Sequence, residues 1–164
     1  MEVLTGTVDV EDPEEVLADL ETLVGDRDVT LQAFDGRYVA GRDHLERVVT
    51  CAARARENGE AIADDHAMEL LCYGAATRQI DRALAIGVTV DATVVVVVTG
   101  PEEEAVATDL EGGLSGLGRT DEPATGDPER IREHFDIGSA ELAVTDEPLE
   151  GLVVERVSLL AVEK

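Results

Sequence analysis

Residues 93–99 read TVVVVVT. Seven consecutive β-branched residues leave neither a polar face nor a helical stripe. Such a run fits a strand buried on both faces, since a half-exposed strand alternates apolar with polar residues. This strand belongs at the centre of a sheet, and the chain is read outward from it. Gly100 and Pro101 turn it into an acidic helix over residues 102–111. Upstream, residues 3–10 (VLTGTVDV) alternate and predict a strand with one apolar face. Residues 29–34 (VTLQAF) predict a second strand, and residues 119–122 a short edge strand.

Helices fill the intervals. Asp12 caps the first, Pro13 opens it, and Glu14 and Glu15 lie in its electropositive first turn. Val16, Leu17, Leu20, Leu23 and Val24 form its expected buried stripe, and Gly25 stops it. Asp35 and Gly36 mark a turn. Asp43 is the expected cap of the next helix, with Leu45, Val48, Val49, Ala52 and Ala53 inward. Residues 64–88 (DDHAMELLCYGAATRQIDRALAIGV) predict two short helices. Residues 65–74 turn Met68, Leu71 and Cys72 inward, and residues 77–86 turn Ile80, Ala83 and Leu84 inward. Asp127 and Pro128 open another helix, and residues 139–144 add a turn. Residues 149–162 (LEGLVVERVSLLAV) suit a helix by spacing and a strand by β-branched content. A helix is favoured. The expected architecture is one α/β domain spanning residues 1–164, with a small, mostly antiparallel sheet of three to four strands covered by about seven helices.

Composition bounds what this scaffold does. There are 37 acidic against 13 basic residues, a net charge of −24, and only four aromatic residues. The apolar segments are too periodic for a disordered chain. Dense carboxylates stay hydrated where salt screens their repulsion, so the acidity points to a halophilic cytosol rather than to a partner. No secretory signal precedes residue 12, and no apolar run is long enough to span a membrane. A cytoplasmic location is expected. Cys51 and Cys72 lie on apolar helical stretches and read as buried hydrophobes.

Few motifs carry chemistry. His66 and Glu69 share a helical face, without the further ligands that a metal site needs, and read as a surface pair. Asp64 and Asp65 form a carboxylate pair, but Asp65 is a good cap. Residues 112–118 (GGLSGLG) follow a helix and lack the Gly-Lys-Ser/Thr of a phosphate loop. No nucleophile elbow and no Cys–base pair are present. No enzyme activity, cofactor or metal is expected. The arginines say more. From Arg37 to Arg82 lie seven arginines and eight carboxylates, a net of −1, so the other −23 lies elsewhere. This near-neutral island is where a phosphate or a nucleic-acid end could approach. Arg78 and Arg82 are four apart and share a helix face.

The island also carries a family likeness. Met68, Glu69, Leu70, Leu71, Cys72 and Tyr73 are followed by Thr77, Arg78, Gln79, Ile80, Asp81, Arg82, Ala83 and Leu84, and then by Ile86, Gly87 and Val88. This progression, with the closing helix at residues 149–162, resembles the small CGI/PRPK-binding-protein family, the kinase-binding subunit of the KEOPS complex, in a halophilic archaeal form. The Arg-Gln-Ile part is the distinctive one. The resemblance implies a subunit without catalytic activity of its own, in a complex that helps make threonylcarbamoyladenosine in tRNA. It implies docking on, and activation of, the atypical kinase/ATPase subunit, with the threonylcarbamoyl transferase subunit as an indirect partner. It also implies a grip on the single-stranded 3′ CCA end of tRNA, which stacking and arginine contacts would supply. On that basis Arg78, Gln79 and Arg82 are the RNA candidates, with Tyr73 or His66 as stacking partners. Leu152, Arg156 and Leu159, with the Gly87–Val88 turn, are the kinase candidates. Relatives tend to carry a basic or hydroxyl residue where this chain has Ala63, Asp64 and Asp65. Two alternatives stay open: a regulatory α/β domain binding a small anion near Arg78 and Arg82, and, last, a hydrolase with a carboxylate site.

Overall fold

The computed structural model describes residues 1–7, 11–114 and 116–163. Four strands form one antiparallel sheet: β1 (Glu2–Gly6), β2 (Thr30–Asp35), β3 (Val94–Thr99) and β4 (Gly118–Arg119), in the order β2-β3-β1-β4. The valine run is interior to the sheet, as its composition predicted. Val8 to Val10, the expected end of the first strand, lie outside the described residues, as does Ser115 of the glycine-rich loop. The edge strand is β4, starting one residue earlier than expected and only two residues long.

The pleat sends alternate valines to opposite cores. Val94, Val96 and Val98 join Leu4 and Ala33 against α1 (Pro13–Val24) and α5 (Glu103–Gly113), which supply Val16, Leu20, Val106 and Leu110. Val95 and Val97 join Val3 and Phe34 on the other face. There they meet α2 (Arg42–Glu57), α3 (His66–Gly74) and α4 (Ile80–Leu84) through Leu45, Leu71, Cys72 and Ala83. The α8 helix (Leu149–Val162) forms a further layer, packing Val157 and Leu160 on Val48, Cys51 and Tyr73. Its spacing therefore outweighs its β-branched content. The α6 (Pro128–His134) and α7 (Ser139–Val144) helices close the end of that layer, with Ile131, Phe135, Leu152 and Val153 in a fourth cluster.

Local signals set several ends. The side chains of Asp12, Asp65 and Asp127 accept from the amides of Glu14, Met68 and Glu129. Gly25 takes φ 59° and closes α1. Gly74 lets α3 approach the sheet, since a Cβ there would stand 2.6 Å from the Phe34 ring.

Other expectations are corrected. Asp43 does not cap α2; Gly41 is the N-cap, and the Glu150 carboxylate of α8 accepts from the His44 amide at 3.2 Å. Leu17 of α1 and Ala53 of α2 are exposed, and Ala55 is buried on α2 instead; Cys51 and Cys72 are buried, as expected. Met68 is half-buried. The second focal helix spans only Ile80–Leu84, and both end residues face outward; Ala83 and Ile86 face the core. The cause is local: Ala76 adopts φ 50°, and the Thr77 hydroxyl accepts from the Gln79 amide, so residues 76–79 form a turn.

Candidate functional site

The focal segment is built around α3. Glu69, expected at the surface, is fully buried; its carboxylate accepts from the amides of Ile62 (3.2 Å) and Ala63 (2.7 Å). It pins the loop that leads into the helix, so the His66/Glu69 surface pair does not form. His66 is exposed one turn earlier and lines a cavity of about 250 Å³ with Arg56, Thr30 and Thr99. Arg56 donates to the carbonyls of Ala63 (3.0 Å) and Asp64 (2.6 Å), so a guanidinium sits against the acidic head of α3.

Two imidazoles hold the other end of α3. His44 is buried, its Nδ1 accepting from the Ala40 amide at 3.1 Å. Its Nε2 must then carry the proton and donate to the Gly74 carbonyl at 3.0 Å. Burial pushes its pKa down to about 4, with the Gly74 bond opposing the shift. His134 bonds the Ala75 carbonyl at 3.0 Å, and burial lowers its pKa too. Phe135 stands between the two rings, edge-on to each. Sequence reasoning missed this cluster, since the pairing joins α2 to α6.

The expected RNA residues separate. Tyr73 is core, 1% exposed, and burial raises its pKa. An internal ring offers a base nothing to stack on beyond the edge that lines a cleft. Arg78 is exposed and donates to the carbonyls of Leu160 (3.3 Å) and Glu163, holding the last turn of α8. Arg82 is exposed and donates to the His134 carbonyl (3.1 Å) at the end of α6. Cations at helix C-termini are favoured, so both arginines act first as long-range caps. Gln79 is exposed at the start of α4, its side chain making no capping bond. His66 lies about 10 Å along α3 from Tyr73, at 1.5 Å per residue, and shares no cavity with Arg78.

The kinase candidates also divide. Leu159 is 43% exposed, whereas Leu152 is 3% exposed and belongs to the core. Arg156 is half-buried, bidentate to Glu141 at 2.8 and 2.9 Å and bonded to the carbonyls of Phe135 and Asp136. Gly87 bridges to Phe34 at the outer edge of β2, and Val88 packs on the α1/α5 cluster. The turn thus presents little side chain.

A cleft of about 340 Å³ brings Arg78 and Tyr73 together with Arg54, Cys51, Ala55 and Asn58. It shares Cys51 and Arg54 with a larger cleft of about 730 Å³ between α2 and α8, which Arg47 also lines. Sequence reasoning missed Arg54 here, although Arg47 and Arg54, seven apart on α2, lie on one face. Six of the twelve arginines (Arg47, Arg54, Arg56, Arg78, Arg82 and Arg132) form no ion pair among the described residues. The larger cleft is itself acidic, lined also by Asp43, Glu46, Glu147, Glu150 and Glu155, so guanidinium outnumbers carboxylate only in the smaller one, where Arg54 and Arg78 meet Glu60. Two guanidinium groups in one cleft suit an anion. Among the described residues, no three His, Cys, Asp or Glu side chains group so that they could hold a metal ion.

A comparison with curated proteins gave no match. The family described as kinase binding protein CGI-121 matches the chain over residues 8–161. That span takes in every helix but the last residue of α8 and all of the sheet but β1, so the chain belongs to the CGI-121 kinase-binding protein family.

Proposed function

We propose that this protein is a non-catalytic, cytoplasmic subunit of a KEOPS-type tRNA-modifying complex. It binds and activates the kinase/ATPase subunit, which links it indirectly to the threonylcarbamoyl transferase, and it helps recruit tRNA by the 3′ CCA end. The family match along almost the whole chain is the observation that carries this reading. The exposed Leu159 on α8, beside Arg156, supports the kinase contact, because a large apolar side chain left in water gains free energy when a partner covers it. The arginines without carboxylate partners support the RNA contact, with Arg78 and Arg82 foremost and Gln79 exposed between them. His66 is the stacking candidate left at the surface, since Tyr73 is core. The acidic remainder of the surface suits a salty, archaeal cytosol.

The kinase subunit, captured in high salt, tests the central claim. Wild-type protein is expected to hold it and to raise its ATPase rate. Leu159→Asp is expected to lose both while unfolding at the same denaturant concentration. If wild-type protein captures no kinase at any salt concentration, the function proposed here is wrong. If Leu159→Asp captures as well as wild type, docking lies elsewhere than on α8. For the RNA contact, tRNA with and without its CCA end is titrated against wild type and Arg78→Glu. Equal affinity in all combinations removes Arg78 from the site.

A further inference from the structure

We propose that the cleft between α2, α3 and the end of α8 binds a phosphate group, gripped by Arg54 and Arg78. The ligand class is a nucleotide-like phosphate ester. This inference shares Arg78 with the tRNA reading but goes beyond it, since it would hold for a free nucleotide as well as for an RNA phosphate.

The argument begins with charge. The Arg54 guanidinium makes no hydrogen bond or ion pair with any described residue, and Arg78 donates only to main-chain carbonyls. Neither cation is neutralised by a carboxylate among the described residues, although acids outnumber bases nearly threefold along the chain. Glu60 also lines the cleft, so its wall carries two guanidinium groups to one carboxylate. Guanidinium is the side chain best shaped for phosphate, offering paired N–H donors to two oxygens at once.

Shape agrees with charge. About 340 Å³ lies at the small-ligand end of the usual range for pockets. Cys51, Ala55 and the edge of Tyr73 give it an apolar wall, and Asn58 adds an amide. Apolar walls with a few convergent polar groups are what a ring-bearing phosphate needs. Tyr73, too buried to act as a stacking platform, keeps a role here as wall.

The cleft is also pre-organised. Only Nη2 of Arg78 is committed to Leu160 and Glu163, which leaves the other N–H donors of the fork to face an anion. The same guanidinium that would hold the phosphate therefore holds the last turn of α8. Binding at the cleft and order at residues 160–163 are coupled through that shared group.

The test uses the full chain, with inorganic phosphate, 5′-AMP, adenosine and tRNA as probes in titration calorimetry, and amide exchange read at residues 160–163. Arg54→Gln is the first variant, because Arg54 holds no other element in place. Phosphate and 5′-AMP are expected to bind and adenosine not to. Arg54→Gln should weaken 5′-AMP at least tenfold with an unchanged unfolding midpoint, and 5′-AMP should slow exchange at residues 160–163 in wild type only. Equal binding of 5′-AMP by wild type and Arg54→Gln overturns the proposal, as does failure of phosphate, 5′-AMP and tRNA alike to bind wild type. If tRNA alone binds and Arg54→Gln weakens it, the phosphate belongs to RNA. If tRNA binding survives Arg54→Gln but fails in Arg82→Gln, the cleft is refuted while the tRNA reading stands. If 5′-AMP binds through Arg54 and tRNA does not bind, the cleft stands and the tRNA reading falls.

Discussion

On the α1/α5 side of the sheet, arginine is scarce and each one meets a carboxylate. Arg27 pairs with Asp109, and Arg119 with Glu111 and, at longer range, Glu2. On the α2/α3/α8 side, Arg42 pairs with Glu46 and Arg156 with Glu141, but Arg47, Arg54, Arg56, Arg78 and Arg82 have no such partner among the described residues; they donate to carbonyls, to Ser158, or to nothing. The first side resembles a solvated acidic shell held by ion pairs. The second spends most of its cations on long-range caps and on clefts. In a chain of net charge −24, unpaired arginine is more informative than paired arginine, because carboxylates are everywhere available.

The largest effect that can break this comparison comes from Tyr73, which belongs both to the core and to the cleft. Tyr73→Ala removes a fully packed ring and should cost about 3–5 kcal/mol, read as a lower urea midpoint. A ring used chiefly for stacking would give the opposite pattern: little change in stability and weaker RNA binding. Tyr73→Phe keeps the packing and should leave the midpoint close to wild type.

Next in size is a pH effect at the end of α3. His44 stays neutral in the fold, with a pKa near 4 against an ordinary 6.5. As pH falls, the unfolded chain therefore takes up its proton first. The contribution of His44 is present above about pH 6.5 and is lost as pH falls toward 4, by about 3 kcal/mol in full. His134, lowered in the same direction by burial with Arg82 beside it, adds to the slope. Urea unfolding of wild type and His44→Gln at pH 7 and pH 4.5 checks this. The variant loses stability at both values, but its dependence on pH should be shallower; parallel curves would remove His44 as the source.

What the sequence disclosed divides along similar lines. The central strand was legible because five valines in a row admit few other readings. The caps by Asp12, Asp65 and Asp127 were legible because cap and amide lie two or three residues apart. The cap of α2 was not, because its carboxylate comes from Glu150, 106 residues away. Burial of Glu69 was hidden for a related reason, since its value comes from loop amides that sequence spacing does not reveal. Arg78 and Arg82 were read as a pair on one helix face, but only Arg82 is on α4; Arg78 lies in the turn before it, the two reach different helices, and Arg54 was overlooked because its importance lies in the cleft it shares with Arg78. Ile80 and Leu84 were placed inward because i, i+4 spacing marks a face without saying which way it points.

Caps then sharpen the contrast at smaller scale. Asp65→Ala removes a side chain that accepts from the Met68 amide at 2.8 Å and should cost about 1 kcal/mol. Asp43→Ala should cost only about a few tenths, because that residue contributes first-turn charge and no capping bond. Equal losses, measured by thermal denaturation, would mean that Asp43 shares the cap with Glu150.

The smallest expected change compares one arginine from each side. Arg27→Gln breaks the Asp109 pair and should cost up to about 1 kcal/mol at low salt, less as salt screens the pair. It should leave the salt dependence of tRNA binding untouched, because that face has no cation to spare. Among the described residues Arg82→Gln leaves no carboxylate stranded, and the bond it removes is to the His134 carbonyl. If Arg82 meets a single-stranded phosphate, its loss should lower the slope of log affinity against log salt by about 0.7. Stability and slope thus move in opposite patterns for two residues of identical chemistry. A slope that changes equally for both would erase the distinction between the two sides and make general charge rather than position the source of the proposed RNA contact.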